Sequence, residues 1–391
     1  MFKIQTLNTI ATIGLNQFPR ELYEVSSEIQ HPDAILVRSH NLHDITIPGT
    51  VKVIGRAGAG VSNIPVAELT RLGVPVFNTP GANANAVREL VIAGMLLASR
   101  NICQAWNYVG ALKNNDEMDK KIEADKKQFV GFELMGKTLG VIGLGSIGVK
   151  VANAAISLGM RVIGFDPTIT VSRAWELSSN VGQARSIDDL LIEADFVTLH
   201  VPLTEDTKNM INISRIQLLK NGVVLLNFAR DGIIDNDALA ESLRDKKVHA
   251  YVTDFPNVVL KDFPQVISLP HLGASTKEAE ENCAVMIVKQ LREFFETGAI
   301  SNSVNFPTLD MPISNKGVRL AIANLNVPNM VAQMSSKIAN AGLNILSLLN
   351  KSRDEIAYTL IDVDGDVNEA LLKEIAGVKG VVQVRRVITK I

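Results

Sequence analysis

The chain has 391 residues and a net charge of −2, and it is 47% hydrophobic and 20% charged. That is the balance of an ordinary globular protein, long enough for two or three domains. The near-neutral charge excludes the electrostatic footprint of a nucleic-acid binder or a membrane-surface protein.

Cys103 and Cys283 are the only cysteines. With no C-x-x-C pair they read as free thiols of a reducing, cytoplasmic compartment, and no disulfide scaffold or metal cluster is expected. The opening MFKIQTLNTI lacks a charged region followed by a long apolar core, so no leader is expected. No apolar run approaches the roughly 18 residues of a membrane span.

In chain order, apolar runs at Phe2–Leu7, Ala34–Val37, Val51–Ile54 and Val74–Phe77 read as strands. Polar or glycine-rich turns follow them, which predicts an α/β unit of its own. Ligands of open α/β sheets sit at strand carboxyl ends, so Arg38, Ser39, Arg56, Gly58 and Asn78 share one predicted rim, suited to a carboxylate or phosphate. Ala84–Asn114 reads as one long apolar helix, fit for a core, a hinge or a subunit contact.

From Lys137 to Asp166 a strand, a G-x-G-x-x-G turn, a helix and a second strand follow one another. Gly143, Gly145 and Gly148 allow a tight turn, close approach of a pyrophosphate and close helix packing. Ser146 and Ile147 lie within the turn, and apolar residues at helical spacing follow over Val149–Leu158, a helix whose free N–H groups face a diphosphate. Asp166 ends the second strand, where a carboxylate accepts from ribose hydroxyls and repels a 2′-phosphate. The cofactor expected is therefore NAD.

Further strands are expected at Phe196–Val201, Val223–Phe228, Ala250–Thr253 and Val266–Leu269. Arg230, Asp254 and His271 follow three of them. A hydride-transfer site on a 2-hydroxy acid needs a fixed cation for the carboxylate, which arginine supplies bidentately. It also needs a group that exchanges a proton near neutrality, which histidine supplies. Thr276–Thr297 reads as a helix with acids in its first turn, as the helix dipole favours. Periodicity lapses over 299–318, read as a linker. The pattern after it, βαββαβ, is ferredoxin-like.

The stretches ELMGKTLGVIGLGSIG, VIGFDP, NFARDGIID and PHLGASTKEAEENCA resemble the D-isomer-specific 2-hydroxyacid dehydrogenases. VRSH, GRAGAGV and NTPGAN resemble that family's substrate-side motifs. LNVPNMVAQMSSKIANAGLNI resembles the ACT regulatory module of its branch acting on a phosphorylated acid. The resemblance implies a Rossmann-type nucleotide-binding domain, a flavodoxin-like substrate domain and a ferredoxin-like ACT domain. The boundaries expected are 1–95 for the substrate domain (completed by about 280–305), 96–279 for the NAD domain, 306–318 for the linker and 319–391 for the ACT domain.

The same resemblance implies oxidation of 3-phospho-D-glycerate to 3-phosphohydroxypyruvate, the first step of phosphorylated L-serine synthesis, by a homodimer or homotetramer. Arg230 would bind the substrate carboxylate and carbonyl, and His271 would be the acid/base. The glycine turn, Ser146, Ile147, Asp166, Val201, Phe228, Ala229, Arg230, Asp254, His271, Gly273 and Ala274 would contact NAD. Arg38, Ser39, Arg56, Gly58 and Asn78 would line the substrate pocket. Asn324, Asn326 and Asn344 would meet an amino-acid effector.

Three positions depart from the family pattern. Val259 stands where a glutamate normally orients the histidine. Ala59 stands where many members have threonine. Asn324 stands where serine-regulated members have histidine. Two alternatives follow: action on another 2-hydroxy acid, or an NAD-sensing protein of weak activity.

Overall fold

Short runs of leucine and β-branched residues build three sheets. In the first, β1 (Phe2–Leu7), β2 (Tyr23–Ser26), β3 (Ala34–Val37), β4 (Val53–Arg56) and β5 (Val76–Phe77) pair in the order β2-β1-β3-β4-β5. All pairs are parallel, which is the flavodoxin-like arrangement.

The second comprises β6 (Thr138–Ile142), β7 (Arg161–Phe165), β8 (Gly182–Gln183), β9 (Phe196–Leu199), β10 (Val223–Asn227), β11 (Val248–Thr253) and β12 (Val266–Ser268). Its order is β12-β11-β10-β9-β6-β7-β8, again all parallel. This is the doubly wound Rossmann order, with its switch point beside β6.

The third comprises β13 (Val318–Leu325), β14 (Ile345–Arg353), β15 (Ile356–Val363) and β16 (Val381–Val387), antiparallel in the order β14-β15-β13-β16. With helices Met330–Asn340 and Glu369–Ala376 it is the expected ferredoxin-like βαββαβ module.

The computed structural model describes residues 1–113, 117–313 and 317–387. They form two compact units, one of 1–83 with 277–391 and one of 84–276. In the second unit alternate residues of the central strands feed opposite cores. Leu139, Val141, Val224 and Leu226 face helices Ala84–Ser99 and Ser146–Ser157. Ile142, Val197, Val223 and Leu225 face the core of helices Ile187–Glu193 and Asn236–Arg244. Asp235 caps the latter helix through Asp237 and Ala238 N–H groups.

In the first unit the third sheet is covered on both faces. Leu320, Ile322, Ile361 and Val363 pack under the module's own helices. Ala321, Tyr358, Leu360 and Val387 join Phe294 and Phe295 of helix Lys277–Thr297. Arg319 ties the layers together. It is 2% exposed and bonds both carboxylate oxygens of Asp362. It also donates to the carbonyls of Thr297, Met311 and Pro312.

Several sequence expectations are corrected. The helix expected over Ala84–Asn114 is two, Ala84–Ser99 and Ile102–Ala111, while Asn114 lies outside the described residues. Asn101 between them has φ 50°, a left-handed conformation that asparagine tolerates. The segment read as linker contains antiparallel bridges, Ile300 to Leu309 and Phe77 to Ser303. Its residues 314–316, and 388–391 of the last module, lie outside the described residues. No helix is long and apolar enough to cross a membrane among the described residues.

Candidate active site

The glycine turn follows β6, all five of whose residues are buried. Gly143 has φ 91°, and a Cβ there would sit 2.5 Å from the His200 carbonyl oxygen. A Cβ on Gly148 would sit 1.9 Å from the Gly143 oxygen, so both positions exclude any side chain. Gly145 differs: its Cβ position has nothing within 4 Å. It precedes helix Ser146–Ser157 without a side-chain cap, so that helix start, with Ser146 and Ile147, presents open backbone. Asp166 folds back onto the turn. One carboxylate oxygen accepts from Leu144 N–H at 2.8 Å and the other from Thr168 N–H at 2.8 Å. A cleft lined by Leu144, Phe165, Ile169, Leu177, Val181 and Arg185 adjoins it. Open backbone at a helix start, a carboxylate at the second strand's end and an apolar cleft beside it fit the diphosphate, ribose and base of a dinucleotide.

Arg230, Asp254 and His271 lie just beyond the ends of the neighbouring strands β10, β11 and β12. Side-chain to backbone bonds place them. Buried Asn227 accepts from the N–H groups of Ala229 and Arg230 at 3.2 and 3.3 Å and donates to the Arg230 carbonyl at 2.9 Å. Thr253 Oγ1 donates to the Asn227 carbonyl at 2.9 Å, joining the ends of β10 and β11. Asp254 is 1% exposed. Its carbonyl accepts from His271 N–H, and its Oδ2 accepts from Gly273 N–H, both at 2.9 Å. Its Oδ1 is buried with no partner. Burial pushes the Asp254 carboxyl above the usual range, opposed by the Gly273 N–H and by His271 and Arg230 nearby.

His271 is exposed and has φ 49°, and its ring lies 4.9 Å from that of Phe255. Among the described residues, no side chain hydrogen-bonds its ring. Val259 sits in an exposed turn with its N–H on Asn257 Oδ1, so it offers nothing to the imidazole.

Other expected cofactor contacts divide by orientation. Val201 borders Gly143. The Phe228 side chain is turned into the core against Gly94, leaving only its backbone for a ligand. Ala229 and Ala274 are partly buried.

In the unit of residues 1–83 and 277–391, the substrate-side candidates end adjacent strands. Asn63 links two arms, donating to the Arg38 and His40 carbonyls and accepting from Arg56 Nε at 3.1 Å. Asn8 Oδ1 accepts from the N–H groups of Ser39 and His40. Gly58 packs beneath the Arg56 guanidinium, and Asn78 donates to the Ala59 carbonyl. Arg38 Nη2 bonds Glu280 Oε1 at 2.6 Å. Asn8, Asn63, Asn227 and Glu280 carry no sequence signal for these duties, apart from the excess of acid that places Glu280 in a helix's first turn.

The three expected effector residues do not converge within the chain. Asn324 is buried at the far end of β13, and Asn326 just beyond it bonds the Asp354 carbonyl. Asn344 is exposed before β14, at the opposite end of the sheet.

Sequence comparison agrees with this geometry. The D-isomer specific 2-hydroxyacid dehydrogenase NAD binding domain profile matches residues 92–273. A D-3-phosphoglycerate dehydrogenase of Haemophilus influenzae is 33% identical over 337 residues, 83% of this chain and 78% of that protein. The chain belongs to the D-isomer-specific 2-hydroxyacid dehydrogenase family. A D-3-phosphoglycerate dehydrogenase of Methanocaldococcus jannaschii is 40% identical over 295 residues, 73% of this chain. The chain spans about half that relative's length, 54%. The NAD-bound 3-phosphoglycerate dehydrogenase of Entamoeba histolytica superposes with a TM-score of 0.61 at 28% identity, covering 79% of this chain and 99% of that one.

Proposed function

We propose that the protein oxidises 3-phospho-D-glycerate to 3-phosphohydroxypyruvate with NAD, the opening step of phosphorylated serine synthesis. The observation that carries this reading is the hydrogen-bonded series at the ends of β10, β11 and β12, where Asn227, Thr253, Asp254 and Gly273 hold Arg230 and His271. In this reading Arg230 binds the substrate carboxylate and polarises the C2 oxygen. His271 takes the C2 hydroxyl proton in oxidation and returns it in reduction. The nicotinamide, when bound, supplies the hydride acceptor. Asp254, whose Oδ1 has no partner in the protein, would hold the carboxamide end of NAD, and Asp166 would accept from its ribose hydroxyls. Arg38 and Arg56 hold the phosphate.

Its relatives named as phosphoglycerate dehydrogenases support the substrate, and the two free cysteines support a cytoplasmic setting. Ile102, Trp106 and Val109 are exposed at helical spacing on Ile102–Ala111, which supports a homodimer or tetramer. The third sheet would serve as a regulatory module. Purified protein is incubated with NADH and 3-phosphohydroxypyruvate. The expected result is substrate-dependent NADH oxidation that His271→Ala abolishes, and equal rates with and without substrate would overturn the reading.

A further inference from the structure

We propose that Glu280 sets how strongly this protein holds its anionic substrate, acting as an internal counter-anion to Arg38. The inference rests on the function proposed above, since the anion is the phosphorylated 2-oxo acid. Arg38 directly follows β3, and its loop is pinned by Asn8 and Asn63 through the bonds described. The guanidinium therefore swings from a fixed root. Its Nη2 donates to Glu280 Oε1 at 2.6 Å, and the two side chains remain 37% and 42% exposed, within a ligand's reach.

Glu280 is equally fixed. Its helix, Lys277–Thr297, buries Ala279, Cys283, Ala284 and Ile287, and that face holds its register. Arg56 ends the adjacent strand β4. Arg38 and Arg56 thus stand at the ends of neighbouring strands, with Glu280 bonded to the first of them. An arriving phosphate dianion meets Glu280 as a repelling charge that already occupies part of Arg38. A ligand without a phosphate loses less, because the repulsion scales with ligand charge.

The test is Glu280→Gln, which keeps an acceptor for Arg38 and removes the charge. The KM for 3-phosphohydroxypyruvate falls about two- to fivefold, the range of exposed ion pairs. The effect appears in KM rather than kcat, is smaller for hydroxypyruvate, and shrinks on an Arg38→Ala background, where only the direct repulsion is left. A KM unchanged or raised, or an equal shift without Arg38, would overturn the proposal. Thermal-shift titration of both proteins with inorganic phosphate reads the same pair without turnover, and tighter phosphate binding by Glu280→Gln is expected there too. If the unsubstituted protein fails to reduce 3-phosphohydroxypyruvate, the proposed function falls. The phosphate titration then still decides the role of Glu280.

Discussion

Asn227→Ala isolates the placement of Arg230 from its chemistry. Asn227 is 1% exposed and makes three bonds to the backbone of residues 229–230, with a fourth to Tyr251 Oη at 3.3 Å. Each such bond contributes about 1 kcal/mol net, and buried groups left unpaired cost about 1–3 kcal/mol. Part of the loss falls on global stability and part on the geometry of the turn. With about 2 kcal/mol falling on the turn, kcat/KM drops roughly thirtyfold. Asn227→Asp keeps the acceptor for both N–H groups and loses the donor to the Arg230 carbonyl, so its loss is intermediate. The assay is steady-state reduction of 3-phosphohydroxypyruvate by NADH, with thermal unfolding confirming that each variant is folded. A folded Asn227→Ala within twofold of the unsubstituted kcat/KM would refute the claim that this side chain positions Arg230.

Val259→Glu restores the carboxylate that the family pattern has at this position. We expect kcat to rise about tenfold, a fraction of the roughly 10²–10⁴-fold that acid–base catalysis provides, and an unchanged kcat would contradict it. Arg319→Met leaves Asp362 buried and unpaired, at a cost of about 3–5 kcal/mol. Faster amide exchange across Val318–Leu325 and Ile356–Val363 reads this, and Arg319→Met with Asp362→Leu recovers most of the protection. His200 has a buried Nδ1 without a partner, and burial pushes its pKa down to about 3. The unfolded chain then binds the extra proton first, so this contribution is full above about pH 6.5 and is lost as pH falls toward 3. As pH is lowered from 7.5 to 4, urea midpoints fall more gently in His200→Gln, and parallel profiles would contradict this.

What the sequence disclosed followed physical range. The short continuous apolar runs of β6 and β10 mark strands buried on both faces. The glycine turn is legible because Gly143 and Gly148 are the only choice sterics leave. The edge strands Tyr23–Ser26 and Gly182–Gln183 are too short to leave a pattern, and the latter is exposed. The break at Asn101 depends on one residue's tolerance of positive φ. The packing of the third sheet on helix Lys277–Thr297 was not legible, because Arg319 and Asp362 stand 43 residues apart and the pair is meaningful only once folded. Asn63 and Asn227 work from side chain to backbone, a duty that leaves no trace in residue type. In the sequence Glu280 reads as one of the first-turn acids of its helix, and only its bond to Arg38 gives it another duty.

In the proposed reaction hydride moves between the nicotinamide and C2 of a phosphorylated acid, with Arg230 and His271 serving the reacting oxygen. The most direct measurement reduces 3-phosphohydroxypyruvate with NADH deuterated at nicotinamide C4 and analyses the product. Deuterium is expected at C2 of 3-phospho-D-glycerate, lost in Arg230→Ala and His271→Ala. Tight NADH binding with no deuterated product would contradict it and leave a nucleotide-binding protein without the chemistry.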